Sequence, residues 1–248
     1  MKPPVDFIEA PPFPSGERWI NTAPLVMEEL RGRVVVLEFW DFCRPNSLRT
    51  LPYLREWHSR YGDRGLVVVS VHAPGFRASA DEDAVRAAVA RLDIQHPVLL
   101  DTDFALWHEY ENAGWPGRYV WGADGMLADY HYGEGAYADC EEVIGSLLGI
   151  EVDPLAPLRA EDARGASLVV PSEDRLSEPF DGPYEAGEAW AVLDGSGAVR
   201  ANGRELAVEH PGAYLLVAHE HHTAAELQLE LGAGVRCDGV CFTPGLAR

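Results

Sequence analysis

The run Arg33-Val34-Val35-Val36-Leu37-Glu38-Phe39-Trp40 is followed by Asp41-Phe42-Cys43-Arg44-Pro45-Asn46-Ser47, and then by Leu48, Leu51, Leu54, Trp57 and Tyr61 at spacings of three and four. The first segment is almost continuously apolar and rich in β-branched residues, as a strand buried on both faces must be. The series from Leu48 to Tyr61 draws one apolar stripe down a helix, with Arg49, Arg55 and Arg60 facing elsewhere. Gly62 to Gly65 ends that helix, and Leu66 to Val71 (LVVVSV) is a second buried strand. Two such strands joined through a helix form a parallel pair with a right-handed crossover.

Outward from this unit, a Pro/Gly loop at Ala73 to Phe76 leads to a second helix near Asp81, with Ala84, Val85, Ala88, Val89 and Leu92 on one face and acids at its start. His96 to Leu100 reads as a strand and Phe104 to Glu111 as a short helix. After Trp115-Pro116, the segments Tyr119–Trp121 and Met126–Tyr132 flank Asp124-Gly125 as a hairpin. Tyr137 to Leu148 is a last helix closed by Gly149. The order β-α-β-α-β-β-α predicts an α/β domain with a mixed central sheet flanked by helices.

From Glu151 the texture changes. Pro154, Pro157, Pro171, Pro179 and Pro183 punctuate a stretch of little helical period. Short strand-like runs follow at Ala189–Leu193, Ala198–Ala201, Glu205–Val208, Ala213–Val217, Glu226–Leu231 and Val240–Phe242, separated by turn signals such as Asp194-Gly195 and Asn202-Gly203. That pattern predicts a small antiparallel sandwich or jelly roll. The expected division is residues 1–154 and residues 155–248.

The chain's 248 residues, 47% of them hydrophobic, suffice for two cores. Its net charge of −20 is spread along the chain, with 23 acids against 13 bases in residues 1–150 and 17 against 7 thereafter. Neither half is a basic face for nucleic acid. The start of the chain carries one Lys and several Pro but no apolar run, and no stretch is long enough to span a bilayer. A cytoplasmic protein without a membrane partner is expected. Cys43, Cys140, Cys237 and Cys241 show no disulfide spacing. Cys237 and Cys241, about 13 Å apart along one strand, read as buried small hydrophobes. His219, His221 and His222 lack a partner carboxylate or Cys at fixed spacing and read as a solvated hairpin loop, so no metal site is expected. Nor does any Gly-rich phosphate loop or nucleophile elbow call for a cofactor.

The first domain resembles the TlpA/DipZ-like branch of the thioredoxin superfamily. The residues that carry the resemblance are Trp19-Ile20-Asn21-Thr22, Phe39-Trp40, Leu48-Arg49-Thr50-Leu51-Pro52-Tyr53-Leu54, Gly65 to Val69 with Val71-His72, Leu100-Asp101, Trp115-Pro116 with Tyr119, and Gly133-Glu134-Gly135 with Tyr137. Leu227 to Phe242 is similar to the β-sandwich, carbohydrate-binding-module-like domain that follows the thioredoxin unit in DipZ-like proteins. The resemblance implies a thioredoxin fold, a dithiol active site and small-molecule or protein thiol and disulfide substrates. Relatives carry Phe-Trp, three residues, Cys-Ile-Asn-Cys and then Leu-Arg-Thr-Leu-Pro. A gap-free count from Leu48 puts Arg44 and Ser47 at the two cysteine positions and keeps Asn46. Relatives also have a Glu in the loop after the second strand, where Gly75 stands here.

Disulfide exchange needs a thiolate to attack and a second thiol to resolve the mixed disulfide. Arginine and serine do neither. Cys43 retains a thiol, expected beside Arg44 and a helix N-terminus, an environment of the kind that favours a thiolate. The catalytic candidates are therefore Cys43, Arg44 and Ser47. Trp40, Asn46, Trp115 and Pro116 are candidates for substrate contact, with Phe42 and Tyr53 beside them, and Pro116 matches the family's cis-proline. Three functions remain open on this reading: a monothiol redox protein acting through Cys43, a non-redox enzyme or binding module using the former active-site groove, and an interaction protein recognising partners through its β domain.

Overall fold

The computed structural model describes residues 7–16, 18–171, 173, 175–176 and 180–248. They form two compact units. The first comprises the chain up to Asp41, Arg49–Pro74 and Arg86–Ala156; the second comprises Phe42–Leu48, Gly75–Val85 and the chain from Pro157 on.

The first unit has the thioredoxin fold. Its elements in chain order are β1 (Arg18–Ile20), β2 (Val34–Trp40), α1 (Pro45–Tyr61, begun in the second unit), β3 (Leu66–His72), α2 (Glu82–Arg91, likewise shared), β4 (Val98–Leu100), α3 (Ala105–Glu109), β5 (Gly117–Trp121), β6 (Leu127–Tyr132) and α4 (Tyr137–Leu148). Six strands make one sheet in the order β1-β4-β3-β2-β5-β6. β2 and β3 run parallel from Val34 opposite Leu66 to Trp40 opposite His72. β5 returns antiparallel on the other side of β2. β1 is an edge strand that the sequence pattern does not announce, because only three residues pair with β4 and they show no alternation.

Because successive strand residues point to opposite faces, β2 supplies two cores. Val34 and Val36 pack with Leu54, Trp57 and Tyr61 of α1 and Ile144 of α4, so the stripe read from the sequence is the buried one. Val35, Leu37 and Phe39 pack on the opposite face with Leu106, Tyr110 and Tyr119. A buried carboxylate ties α1 to α4. Glu141 accepts from Trp57 Nε1 (3.1 Å), Arg60 (2.6 Å), the Tyr61 hydroxyl (2.5 Å) and the Leu155 backbone N–H (2.9 Å).

The remaining strands belong to the second unit: β7 (Leu168–Val169), β8 (Arg175–Leu176), β9 (Gly182–Gly195), β10 (Gly197–Ala201), β11 (Arg204–Val208), β12 (Gly212–Leu227), β13 (Leu229–Leu231), β14 (Val235–Thr243) and β15 (Gly245–Leu246). They form sheets ordered β12-β9-β14-β8, β11-β10-β13 and β15-β7. Tyr184, Leu193, Val199, Leu227, Val240 and Phe242 share its core. Ala213–Val217 and Glu226 are not separate strands: β12 runs through both. His219, His221 and His222 therefore lie in a strand and not in a hairpin loop, and His219 Nε2 meets the Tyr184 hydroxyl at 2.9 Å. A register irregularity between Ala218 and Thr223 breaks the alternation that would have shown the strand as continuous. Cys241 is buried, whereas Cys237 is only half-buried and bonds to the Gly239 carbonyl at 3.3 Å. Among the described residues no helix is long and apolar enough to cross a membrane.

Candidate functional site

Helix α1 opens at Pro45, a residue suited to a first helical position because it has no N–H to satisfy. The Leu48 N–H donates to the Arg44 carbonyl at 3.1 Å, so Arg44 is the cap of the helix and Ser47 its third residue. These are the positions at which helix N-terminal amides act on a dithiol. Cys43 has no exposed surface, Ser47 is 1% exposed, and Arg44 and Asn46 are half-buried. Cys43 forms no disulfide.

Within the same compact unit, the Arg44 guanidinium lies 5.0 Å over the ring of Phe76, in the short segment that starts at Gly75. That segment is anchored by Asp238 of β14, which pairs with Arg77 at 2.7 Å and accepts the Ala78 N–H at 3.1 Å. A carboxylate is thus present beside the loop that contains Gly75, and it is engaged in holding that loop.

In the first unit, Trp40 is 1% exposed and meets His72 edge-on at 5.4 Å. His72 Nε2 lies 3.7 Å from Asp41 Oδ1, both residues fully buried. The Ala73 N–H donates to the Trp40 carbonyl (3.2 Å), and Trp115 Nε1 donates to the Ala73 carbonyl (2.9 Å), so the two tryptophans converge on one residue at the end of β3. Trp115 is half-buried, packs on Trp107 with ring centroids 4.3 Å apart, and precedes Pro116 through a cis peptide bond. Trp40, Phe42 and Tyr53 do not line a groove as placed: all three are buried, and Tyr53 stacks on Tyr137 at 3.7 Å. An aromatic at a strand end looks the same in sequence whether it faces a rim or a core, and here packing fills the core.

One polar pair went unread in the sequence. Glu38 of β2 and Arg118 of β5 are cross-strand partners, both buried, with Arg118 3.6 Å from the carboxylate. That separation is too long for a hydrogen bond, so loss of water outweighs the attraction and burial raises the Glu38 pKa from 4.5 to about 7, with Arg118 pulling the other way. The folded state therefore holds this proton more tightly than the unfolded chain. Stability from this group is fully present below about pH 4.5 and is lost as pH rises through about 7. The expected loss is on the order of 3 kcal/mol across that window. Denaturant melts of the parent and of Glu38→Gln, taken through the same window, check this, because the Gln variant should lack the slope.

No family model matches the chain. Over 139 residues it is 40% identical to Protein SUPPRESSOR OF QUENCHING 1, chloroplastic, of Arabidopsis thaliana, spanning 56% of this chain and 13% of that protein. Over 133 residues it is 35% identical to Protein DipZ of Mycobacterium tuberculosis, spanning 52% of this chain and 19% of that protein. The chain thus spans less than a fifth of the length of either relative. With the thiol-disulfide oxidoreductase YkuV of Bacillus subtilis it shares 28% identity over 136 residues, which are 54% of this chain and 90% of that one. Among solved structures, a thioredoxin-like superfamily protein superposes on 58% of this chain and 99% of its own with a TM-score of 0.53, at 21% identity, a likeness of fold. These sequence and fold matches agree with the motifs from Phe39-Trp40 to Trp115-Pro116: the first half of the chain has the thioredoxin fold and is similar to TlpA/DipZ-like proteins.

Proposed function

We propose that the dithiol site of this chain is degenerate and that the protein works by binding a small molecule or a protein partner instead of exchanging disulfides. What carries the reading is the presence of Arg44 and Ser47 at the cap and third position of α1, with the adjacent Cys43 wholly buried. Neither side chain attacks or resolves a disulfide, and a thiol without solvent contact does not meet a substrate. Gly75 in the neighbouring loop removes the acid that would serve proton transfer. The half-buried Arg44 and Asn46 at the start of α1 are the residues that we assign to ligand contact. Four thiols with no disulfide among them suit a reducing, cytoplasmic setting.

A second reading keeps thiol chemistry through Cys43, favoured by its place between Arg44 and the start of α1. It requires Cys43 to open to solvent. Iodoacetamide labelling of the native protein, mapped by peptide mass, separates the two. The expected result is that Cys43 labels at least about 100-fold more slowly than in the unfolded chain, as for a group reached only by local opening. The parent and Cys43→Ser should be equally inactive toward insulin disulfides. Fast native labelling of Cys43, with a turnover that Cys43→Ser abolishes, moves the assignment to the monothiol reading.

A further inference from the structure

The far end of α1, the beginning of β3 and the loop before β4 line an open cavity of about 680 Å³ within the first unit. It is of a size that holds metabolite-scale ligands. His58, which lines it, stands roughly 16 Å further along the helix axis than Ser47. Lying apart from the former dithiol positions, the cavity does not depend on what those residues do.

His58 and His96 both line the cavity, with ring centroids 5.8 Å apart and planes inclined at 62°. His96 is fully buried, and its Nε2 shares a hydrogen bond with the buried Ser70 hydroxyl at 2.8 Å. Nδ1 of His96 and Nδ1 of His58 are buried with no hydrogen-bond partner among the described residues. The tautomer of His96 follows from counting. If Nε2 carried the proton, both the Ser70 hydroxyl hydrogen and the Nδ1 lone pair would be left unmatched. If Ser70 donates to Nε2, only one group is left, an Nδ1–H donor lacking an acceptor. Native structures rarely leave such a buried donor unmatched.

Burial above all, with His58 and Arg55 acting in the same direction, lowers the His96 pKa to about 3, and burial also lowers that of His58, so His96 enters the cavity wall as a neutral donor. The charged groups of the lining are Arg33 and Arg55 with Glu56, Asp63 and Asp93; Arg55 pairs with Asp93 at 2.7 Å, and all three carboxylates are exposed. The half-buried Val67 and Pro97 supply apolar surface next to the histidines.

We propose that this cavity binds a small organic anion, whose carboxylate or phosphate oxygen accepts from His96 Nδ1–H and from His58 while its apolar body rests on Val67 and Pro97. The test uses the full chain, following histidine ring resonances by NMR during titration with sodium phosphate and, separately, with sodium succinate, at fixed pH and with ionic strength held by sodium chloride. Saturable shifts of both His58 and His96 are expected with at least one anion. Phosphate alone would identify a phosphate ligand, and succinate alone a carboxylate. His58→Ala and Arg55→Ala, chosen because both side chains are partly exposed and the fold should survive their loss, should each weaken binding by about tenfold or more. No saturable shift with either anion at tens of millimolar, or unchanged affinity in both variants with unchanged melting, would overturn the assignment.

Discussion

The R44C/S47C double variant is expected to reduce insulin disulfides, with dithiothreitol as electron source, roughly 100-fold faster than the parent once the reagent's own rate is subtracted. The backbone for the reaction is in place. Residue 44 caps α1 and residue 47 is its third position, so a cysteine at 44 would have its thiolate favoured by the free amides of the helix start. A cysteine at 47 replaces a serine of nearly the same size and resolves the mixed disulfide. Either single substitution should leave the rate near the parent's, because attack without resolution stalls. Adding Gly75→Glu should raise the rate again by returning an acid to the loop. A double variant that melts like the parent yet gains nothing would mean that the groove itself, and not merely its sulfurs, has lost the family's chemistry.

The second large effect concerns stability. Replacing Glu141 with Ala is expected to destabilise the first unit by about 4 kcal/mol, since the Trp57 indole, the Tyr61 hydroxyl, the Arg60 guanidinium and the Leu155 amide all lose one buried acceptor together. For a unit of this size the midpoint should fall by about 10 °C, measurable by calorimetry. Glu141→Gln keeps one acceptor oxygen but no charge for Arg60, and should recover roughly half of the loss. If both variants melt within a degree or two of the parent, α1 and α4 are held by apolar packing alone.

Much of this was legible in the chain, and the reasons differ by element. The run Val34–Trp40 and the stripe from Leu48 to Tyr61 are long, strongly patterned and buried as their patterns require, so the strand, the helix and the parallel crossover to β3 followed from them. That residues 44 and 47 are Arg and Ser was equally plain, and the structure places them at the cap and third position of α1, as the count from Leu48 implies. What stayed hidden depends on pairing between distant segments. Glu38 and Arg118 meet only because β5 lies beside β2, and Glu141 looks like an ordinary helix acid until α4 packs on α1. His58 and His96 are likewise brought together by the chain's return through β3 and β4. Trp40 shows the converse: an aromatic next to a site motif that packing has taken into the core.

The second unit gathers its parts from three places along the chain, and that has a temporal side. Every strand of the six-stranded sheet is complete by Tyr132, so the thioredoxin arrangement can assemble early in synthesis. Asp238, the anchor of Arg77 and Ala78, is added 161 residues after Arg77. From the end of α4 at Leu148 to Asp238 is about 90 residues, roughly 5 to 20 s at ribosomal rates. For that time the newborn chain holds all the elements of its thioredoxin fold while the segment around Phe76 still awaits its carboxylate, so the surroundings of Arg44 are set late in synthesis.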